Sequence, residues 1–251
     1  MPTELSAADR EAALAPLLLK MRARDVLDAA EEQVLRESIA SVRSVAAGKV
    51  IARDRETLSE STLLFEGFAC RYKDLSDGQR QIMELHVAGD FVDLHGFLLK
   101  QLDHNVGTMT AVRIAAVPHE ALRRITEHHP HLARILWFST LIDAAIHREK
   151  ILSVGRRSAL ARIAHILCEL FVRMQLVGLA DGDGYPLPLT QADLADATGL
   201  TSVHVNRMLR RLRNDELCTF RGGRVTIHDW DRLQRTAEFD PSYLHLERRP
   251  R

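Results

Sequence analysis

The chain has 251 residues with 34 basic and 34 acidic side chains, a formal net charge of zero, which argues against a histone-like protein that coats nucleic acid through global positive charge. No apolar run approaches the roughly 18–20 residues of a membrane span, and the N-terminal MPTELSAADREAA lacks a signal-peptide pattern. The three cysteines, Cys70, Cys168 and Cys218, are spaced neither as a disulfide framework nor as a metal-type pair, so a reducing cytoplasm is the expected setting and no membrane partner is expected.

The length suits two modest domains with cores of their own. Residues 1–45 read as helical. LLLKM (17–21) is followed by DVLDAAEEQVLRESIASV (25–42), in which Val26, Leu27, Ala30, Val34 and Leu35 share one helical face. From about 46 to 118 the pattern changes to short strands bounded by turns: GKVIAR, STLLFEGFACRYK, QRQIMELHV and GTMTAVRIAAV. DLSDGQR (74–80) centres a tight turn on Asp77-Gly78. Evenly spaced short strands of this kind predict a β-roll or sandwich.

Residues 119–155 return to helix. A short helix opens at Pro118-His119-Glu120, and Pro130 starts a long one, where its missing N–H does no harm. The long helix carries Leu132, Ile135, Leu136, Ser139, Ile142, Ala145, Ile146, Glu149 and Leu152 close to heptad spacing. A helix this apolar implies a partner. Either a symmetry mate packs on the seam, making a homodimer through Leu132, Ile135, Ile142, Ala145, Ile146 and Glu149, or the seam folds back on its own β domain. The dimer is the preferred expectation.

Gly155-Arg156-Arg157 reads as a hinge, and Ser158 as the cap of SALARIAHILCELFVRMQ. The loop 178–190 contains DGDG (181–184). That run superficially resembles a calcium loop, but Ala192 stands where a bidentate acid is required, so it reads as a flexible turn.

Residues 190–213, TQADLADATGLTSVHVNRMLRRLR, have the form of a helix-turn-helix. Thr190 caps a first helix, Gly199 ends it, and Thr201 caps a second. On that second helix Val205, Met208, Leu209 and Leu212 make one apolar stripe. Ser202, His204, Asn206, Arg207, Arg210 and Arg211 lie on the other face, ready for a DNA groove. CTFRGGRVTI (218–227) then turns through Gly222-Gly223 as a β-hairpin, a wing with Arg221 and Arg224 near its tip. Double-stranded DNA is the expected partner. The sequence carries no nucleophile elbow, phosphate loop or paired-carboxylate motif, so enzymatic activity is not expected. The competing reading is a ligand-binding or interaction protein in which the β-roll does the work.

In its order of parts, and most specifically in GRRSALARIAHILCEL and LTQADLADATGLTSVHVNRMLRRLR, the chain resembles the Crp/Fnr family of bacterial transcription regulators. AGDFVDLHGF (88–97) is more loosely similar to the family's glycine-acid-phenylalanine turn. The resemblance implies an α+β architecture: a sensor domain (1–130) with N-terminal helices and a cyclic-nucleotide-binding-like β-roll, a dimerisation helix (131–155), and a winged helix-turn-helix domain (156–251). It implies a homodimer on a twofold operator with half-sites about 34 Å apart, and contact with RNA polymerase. It places Thr201, Ser202, Val203, His204, Asn206, Arg207, Arg210, Arg211, Arg221 and Arg224 at DNA, with Arg207 reading a guanine. Val203 stands where much of the family has a glutamate. Valine cannot accept a hydrogen bond from cytosine, so the base preference should differ there.

For the effector, the resemblance designates Gly89, Asp90, His147 and Arg148 as a candidate pocket. Members that bind cyclic AMP carry an arginine-serine or arginine-alanine pair that clamps the phosphate, and the corresponding KQLDHNVGTMT has neither. Cyclic AMP is therefore not expected, although another anionic ligand stays open. Residues 1–69 contain no cysteine, which excludes the iron–sulfur cluster of oxygen-sensing members. Haem is weakly supported by His86, His95, His104, His128, His129, His131 and His147, each of which has a simpler structural role. Cys168 should pack as a small hydrophobe. For Cys218 a redox role is open, since Arg221 and Arg224 could stabilise its thiolate.

Overall fold

The computed structural model describes residues 5–250. Helix α1 (Ala7–Arg22) starts where the Ser6 hydroxyl accepts Asp9 N–H, and it buries Ala13, Leu14, Leu17, Leu18 and Met21. Helix α2 (Ala29–Ser38) begins with a reciprocal capping box between Asp28 and Glu31. The helical reading of residues up to 45 requires correction, because Ser41–Val45 is strand β1. Its register places Ser41 opposite Ala116 and Val45 opposite Val112. Those partners lie some seventy residues on, and tertiary pairing outweighs local pattern.

The remaining roll strands are β2 (Val50–Ala52), β3 (Glu60–Glu66), β4 (Ala69–Asp74), β5 (Arg80–His86), β6 (Asp90–Phe91), β7 (Asn105–Thr108) and β8 (Val112–Pro118), with α3 (Gly96–Leu99) between β6 and β7. They form two four-stranded sheets, ordered β1-β8-β3-β6 and β2-β7-β4-β5. STLLFEGFACRYK, one strand by its pattern, breaks at Gly67, whose φ is +87°. A Cβ there would collide with the Ala111 carbonyl oxygen, so only glycine fits.

By their contacts the described residues group into two compact units. One comprises the described residues up to Tyr72, Leu85–Asp143 and those from Leu246 on, and the other Lys73–Glu84 and Ala144–His245. The long helix is thus not a domain of its own. In the first unit α1, α2, α4 (His119–His128) and the start of α5 (Pro130–Arg156) bury Leu14, Leu17, Leu63, Phe91, Leu122, Leu132 and Ile135 in one core. A second cluster, with Leu64, Val92, Val106 and Ile114, fills the roll. Arg71 lies in this unit at 2% exposure. Its guanidinium donates to Val92 O at 2.7 Å, Phe91 O at 3.3 Å and Asp143 Oδ2 at 3.0 Å.

The second unit is built on α6 (Ala159–Leu176), capped by Ser158. Around it stand strand β9 (Gly184–Pro186), helices α7 (Gln191–Thr198) and α8 (Ser202–Asn214), strands β10 (Cys218–Arg221) and β11 (Arg224–Ile227), helix α9 (Trp230–Ala237) and a 3₁₀ turn at Pro241–Leu244. Phe171 on α6 packs 5.1 Å from Trp230 on α9 with the rings tilted by 54°, and Tyr185 is fully buried with its hydroxyl on Leu167 O at 2.9 Å. Under α6, Tyr243 donates to Glu169 at 2.8 Å and lies 3.2 Å from His165 Nε2. Burial holds His165 below the usual imidazole range.

The predicted dimer seam also needs correction. Leu132 (0%), Ile135 (4%), Ile142 (8%), Ala145 (4%) and Ile146 (6%) are buried by their own chain. Glu149 accepts a bond from Arg157 Nη2 at 2.5 Å. The physical reason is that α5 is apolar on more than one face, and the face carrying these residues meets the fold first. The predicted hinge is likewise a two-residue turn, held by buried Arg157, which also reaches Glu238 O at 3.1 Å.

Candidate nucleic-acid interface

The helix-turn-helix is built from local signals. The Thr190 hydroxyl accepts Asp193 N–H, and the Asp193 carboxylate accepts Thr190 N–H at 2.9 Å, so two of the orphan donors at the start of α7 are satisfied. Gly199 ends α7 in the left-handed region at φ +65°, and Leu200 N–H closes on Ala195 O at 3.1 Å. Thr201 then caps α8 by accepting His204 N–H at 3.3 Å.

Once started, α8 sorts its side chains by polarity. Val205 and Leu212 are fully buried and Met208 nearly so, while Leu209 is half-buried. Thr201, Ser202, Val203, Asn206, Arg207, Arg210 and Arg211 are exposed, and His204 is half-buried. The helix contains no acidic residue, and Arg211 and Arg213 in its last turn also complement the negative end of the helix dipole. Asn206 donates to Gln191 Oε1 at 3.2 Å, tying the polar face of α8 to the first turn of α7. Arg207 Nη2 lies 2.7 Å from His204 Nε2. A guanidinium can only donate, so the imidazole is the acceptor and ties Arg207 to the turn before it.

Val203 is 82% exposed. An aliphatic group is thus presented to solvent at the start of the helix, in the position where the family resemblance supplies a carboxylate.

The wing forms as its glycines require. Gly222 and Gly223 take φ +61° and +73°, the paired left-handed conformation of a tight hairpin turn, and Arg221 pairs with Arg224 across it. Arg221 is exposed and Arg224 half-buried. Arg224 is ion-paired with Asp181, and the DGDG run forms a turn, as its composition suggests, bridged between Asp181 and Gly184. It leads into β9, which joins the wing as a third strand with Tyr185 opposite Val225.

Cys218 is 1% exposed, and burial pushes its thiol up to about 12. That overturns a thiolate stabilised by Arg221 and Arg224, because desolvation dominates. Cys168, fully buried, packs as the small hydrophobe expected.

The candidate effector residues fall in different surroundings. In the first unit Asp90 accepts Lys20 Nζ at 2.5 Å and Val87 N–H at 2.8 Å. Gly89, at φ +85°, lies so close to α1 that a Cβ would stand 2.7 Å from Pro16 O. The acidic turn is therefore engaged by the chain's own N-terminal helix, through a lysine seventy positions away that periodicity could not have connected to it. In the second unit His147 lies 3.1 Å from the buried carboxylate of Glu84, and Arg148 is exposed. Among the described residues no group of three or more histidine, cysteine or acidic side chains is placed to hold a metal ion, and no helix is long and apolar enough to cross a membrane.

Comparison with known proteins agrees with this geometry. Residues 161–236 match the Crp-like helix-turn-helix domain, and residues 42–129 match the cyclic nucleotide-binding domain. The chain is 30% identical over 220 residues to the nitrogen fixation regulation protein FixK of Bradyrhizobium diazoefficiens, covering 84% of this chain and 87% of that one. It is 28% identical over 214 residues to the transcriptional activator protein FnrL of Cereibacter sphaeroides, covering 84% and 86%. The structure of FixK2 from Bradyrhizobium japonicum superposes with a TM-score of 0.72 at 26% identity, over 79% of this chain and 97% of that chain. With a cyclic-nucleotide-binding-type roll, a capped helix-turn-helix whose arginine face is bare, and relatives matched over most of their length, the chain belongs to the Crp/Fnr family: it is a DNA-binding transcription regulator and not an enzyme.

Proposed function

We propose that the protein binds a twofold operator as a homodimer, with α8 of each protomer in the major groove and the wing on the adjacent backbone. The observation that carries this reading is the outward face of α8, where Asn206, Arg207, Arg210 and Arg211 are exposed over a buried apolar stripe. Arg207 is assigned to a guanine, since a guanidinium matches its two major-groove acceptors. Ser202, Val203 and Asn206 address neighbouring bases, while Thr201, His204, Arg210, Arg211, Arg221 and Arg224 serve phosphates or cap the helix.

The dimer uses the outer face of α5. Trp137 (67% exposed), Leu141 (50%), Ile151 (73%) and Leu152 (47%) share one helical face there, Leu141 four positions after Trp137 and Leu152 eleven after Leu141, which supports a second helix packing on that stripe. Contact with RNA polymerase belongs to the same reading, supported by the activator role in the names of the relatives. The effector is an open chemical class outside cyclic AMP. Residues 100–110 offer no arginine for a cyclic phosphate, and Asp90 is held by Lys20.

The test is DNA binding across salt concentration with Arg207→Ala beside the natural protein, on a duplex the protein selects from a random pool. Affinity should fall steeply with salt, and the substitution should cost about 1–3 kcal/mol on the selected site and much less on random DNA. Equal losses on both duplexes would remove Arg207 as a base reader.

A further inference from the structure

Strands β4 and β5 are neighbours in the second sheet and are joined by a hairpin turn. Strand β4 begins at Ala69 in the first unit, yet Lys73–Glu84 group with the second. The turn closes with Leu75 N–H on Gln79 O at 2.7 Å, around Gly78 at φ +82°. Arg80, the first residue of β5, then reaches α7. Its Nε donates to Asp196 Oδ2 at 2.8 Å and its Nη2 to Asp193 Oδ1 at 3.0 Å. One guanidinium thus spans two carboxylates one turn apart through two separate nitrogens of its rigid planar fork, a geometry that the single point charge of a lysine does not reproduce.

A second contact comes from the next residue. Gln81 Nε2 donates to the Asp196 backbone carbonyl at 2.8 Å. That carbonyl is one of the last four of α7, which have no partner within the helix. Two of the others find partners elsewhere: Ala195 O takes Leu200 N–H, and Thr198 O takes Arg162 Nη1 at 3.3 Å. Gln81 therefore satisfies a carbonyl at the C-terminal end of α7 while Arg80 holds its side. Asp193 is at the same time half of the capping box that starts α7. The grip thus bears on both ends of the helix on which α8 packs and to which Asn206 is bonded.

We propose that Arg80 is a positioning residue for DNA binding: by clamping Asp193 and Asp196 it fixes α7, and through α7 the attitude of the recognition helix. The proposal rests on the DNA-binding reading above but is separable from it. Arg80 touches no base in this scheme. Its side chain is 34% exposed, so the clamp is partly screened and should weaken with salt.

The test uses the full-length protein with Arg80→Lys, Arg80→Ala, Arg80→Asp and the exchanged pair Arg80→Asp with Asp196→Arg. In DNA-free protein, Arg80→Ala should raise hydrogen exchange of the α7 amides about tenfold and leave those of β8 unchanged, the mark of local rather than global opening. On a duplex selected by the natural protein, the dissociation constant should rise about tenfold for Arg80→Ala, less for Arg80→Lys and more for Arg80→Asp, because a smaller fraction of molecules is competent to bind. The exchanged pair should recover to within about threefold, since it restores opposite charges across the contact. Unchanged α7 exchange in Arg80→Ala overturns the clamp. Faster exchange with an unchanged dissociation constant overturns the positioning role. A natural protein that selects no duplex overturns the DNA-binding reading itself, while the exchange measurement still decides the clamp.

Discussion

Helices α8 and α5 present opposite problems in amphipathicity. On α8 one face is apolar and buried, with Val205, Met208 and Leu212, and the opposite face is arginine-rich and bare. On α5 both faces are apolar. Ile135, Ile142 and Ile146 are buried within the chain, while Trp137, Leu141 and Ile151 remain exposed. An apolar side chain states that it favours burial and is silent about what buries it, because the hydrophobic effect has no direction. A charged face is more informative, since only solvent or an oppositely charged partner will accept it. For this reason α8 identifies its outward side, whereas α5 needs the surrounding fold to do so.

The largest effect should come from testing the two faces of α5. Ile142→Lys places an ammonium among buried aliphatics and should cost more than about 4 kcal/mol, seen as loss of the cooperative unfolding transition. Leu141→Lys, one position earlier, should leave monomer stability nearly unchanged and abolish the dimer in sedimentation velocity. If Ile142→Lys folds and is monomeric while Leu141→Lys remains dimeric, the assignment of the faces is reversed.

A smaller effect sharpens the inner side of α5, where Arg71 bonds Asp143 and lies near Asp93. Burial pushes the Asp93 carboxyl up to about 6 from its ordinary 3.8. The native state therefore holds more protons than the unfolded chain between about pH 4 and 6. This group's contribution to stability falls as pH rises through that window and is least above it. Asp93→Asn keeps an acceptor for Thr62 N–H, which Asp93 Oδ1 meets at 2.5 Å. The substitution should raise stability at pH 7.5 by up to about 3 kcal/mol and flatten the slope below it. Urea unfolding at pH 4.5 and 7.5 measures both, and parallel pH profiles would remove Asp93 as the titrating group. The smallest effect belongs to α8. Thr201→Ala removes the cap on His204 N–H and should cost about 1 kcal/mol, read as a lower melting temperature with DNA selectivity retained. A loss of selectivity would mean that Thr201 does more than cap.

Legibility follows the range of the interactions. The capping threonines at 190 and 201, Gly199, and the Gly222-Gly223 turn act within a few residues, and each stands where the pattern predicted it. Helix α9 carries a signal of the same kind, Asp229 as cap with Trp230, Leu233 and Ala237 at helical spacing. Strand β9 carries none, because three residues show no periodicity and Gly184–Pro186 becomes a strand only by pairing with β11. Strand β1, mistaken for helix, likewise exists through β8.

Local sequence by itself determined the helix-turn-helix, the wing and the family to which they belong, because caps, turns and an arginine face are short-range chemistry written in consecutive residues. Tertiary structure alone decided which face of α5 the chain covers, that Lys20 holds Asp90, and that Arg80 grips Asp193 and Asp196. These are contacts across 70 to more than 100 positions, and no spacing rule along a chain encodes which distant charge folding will bring to it.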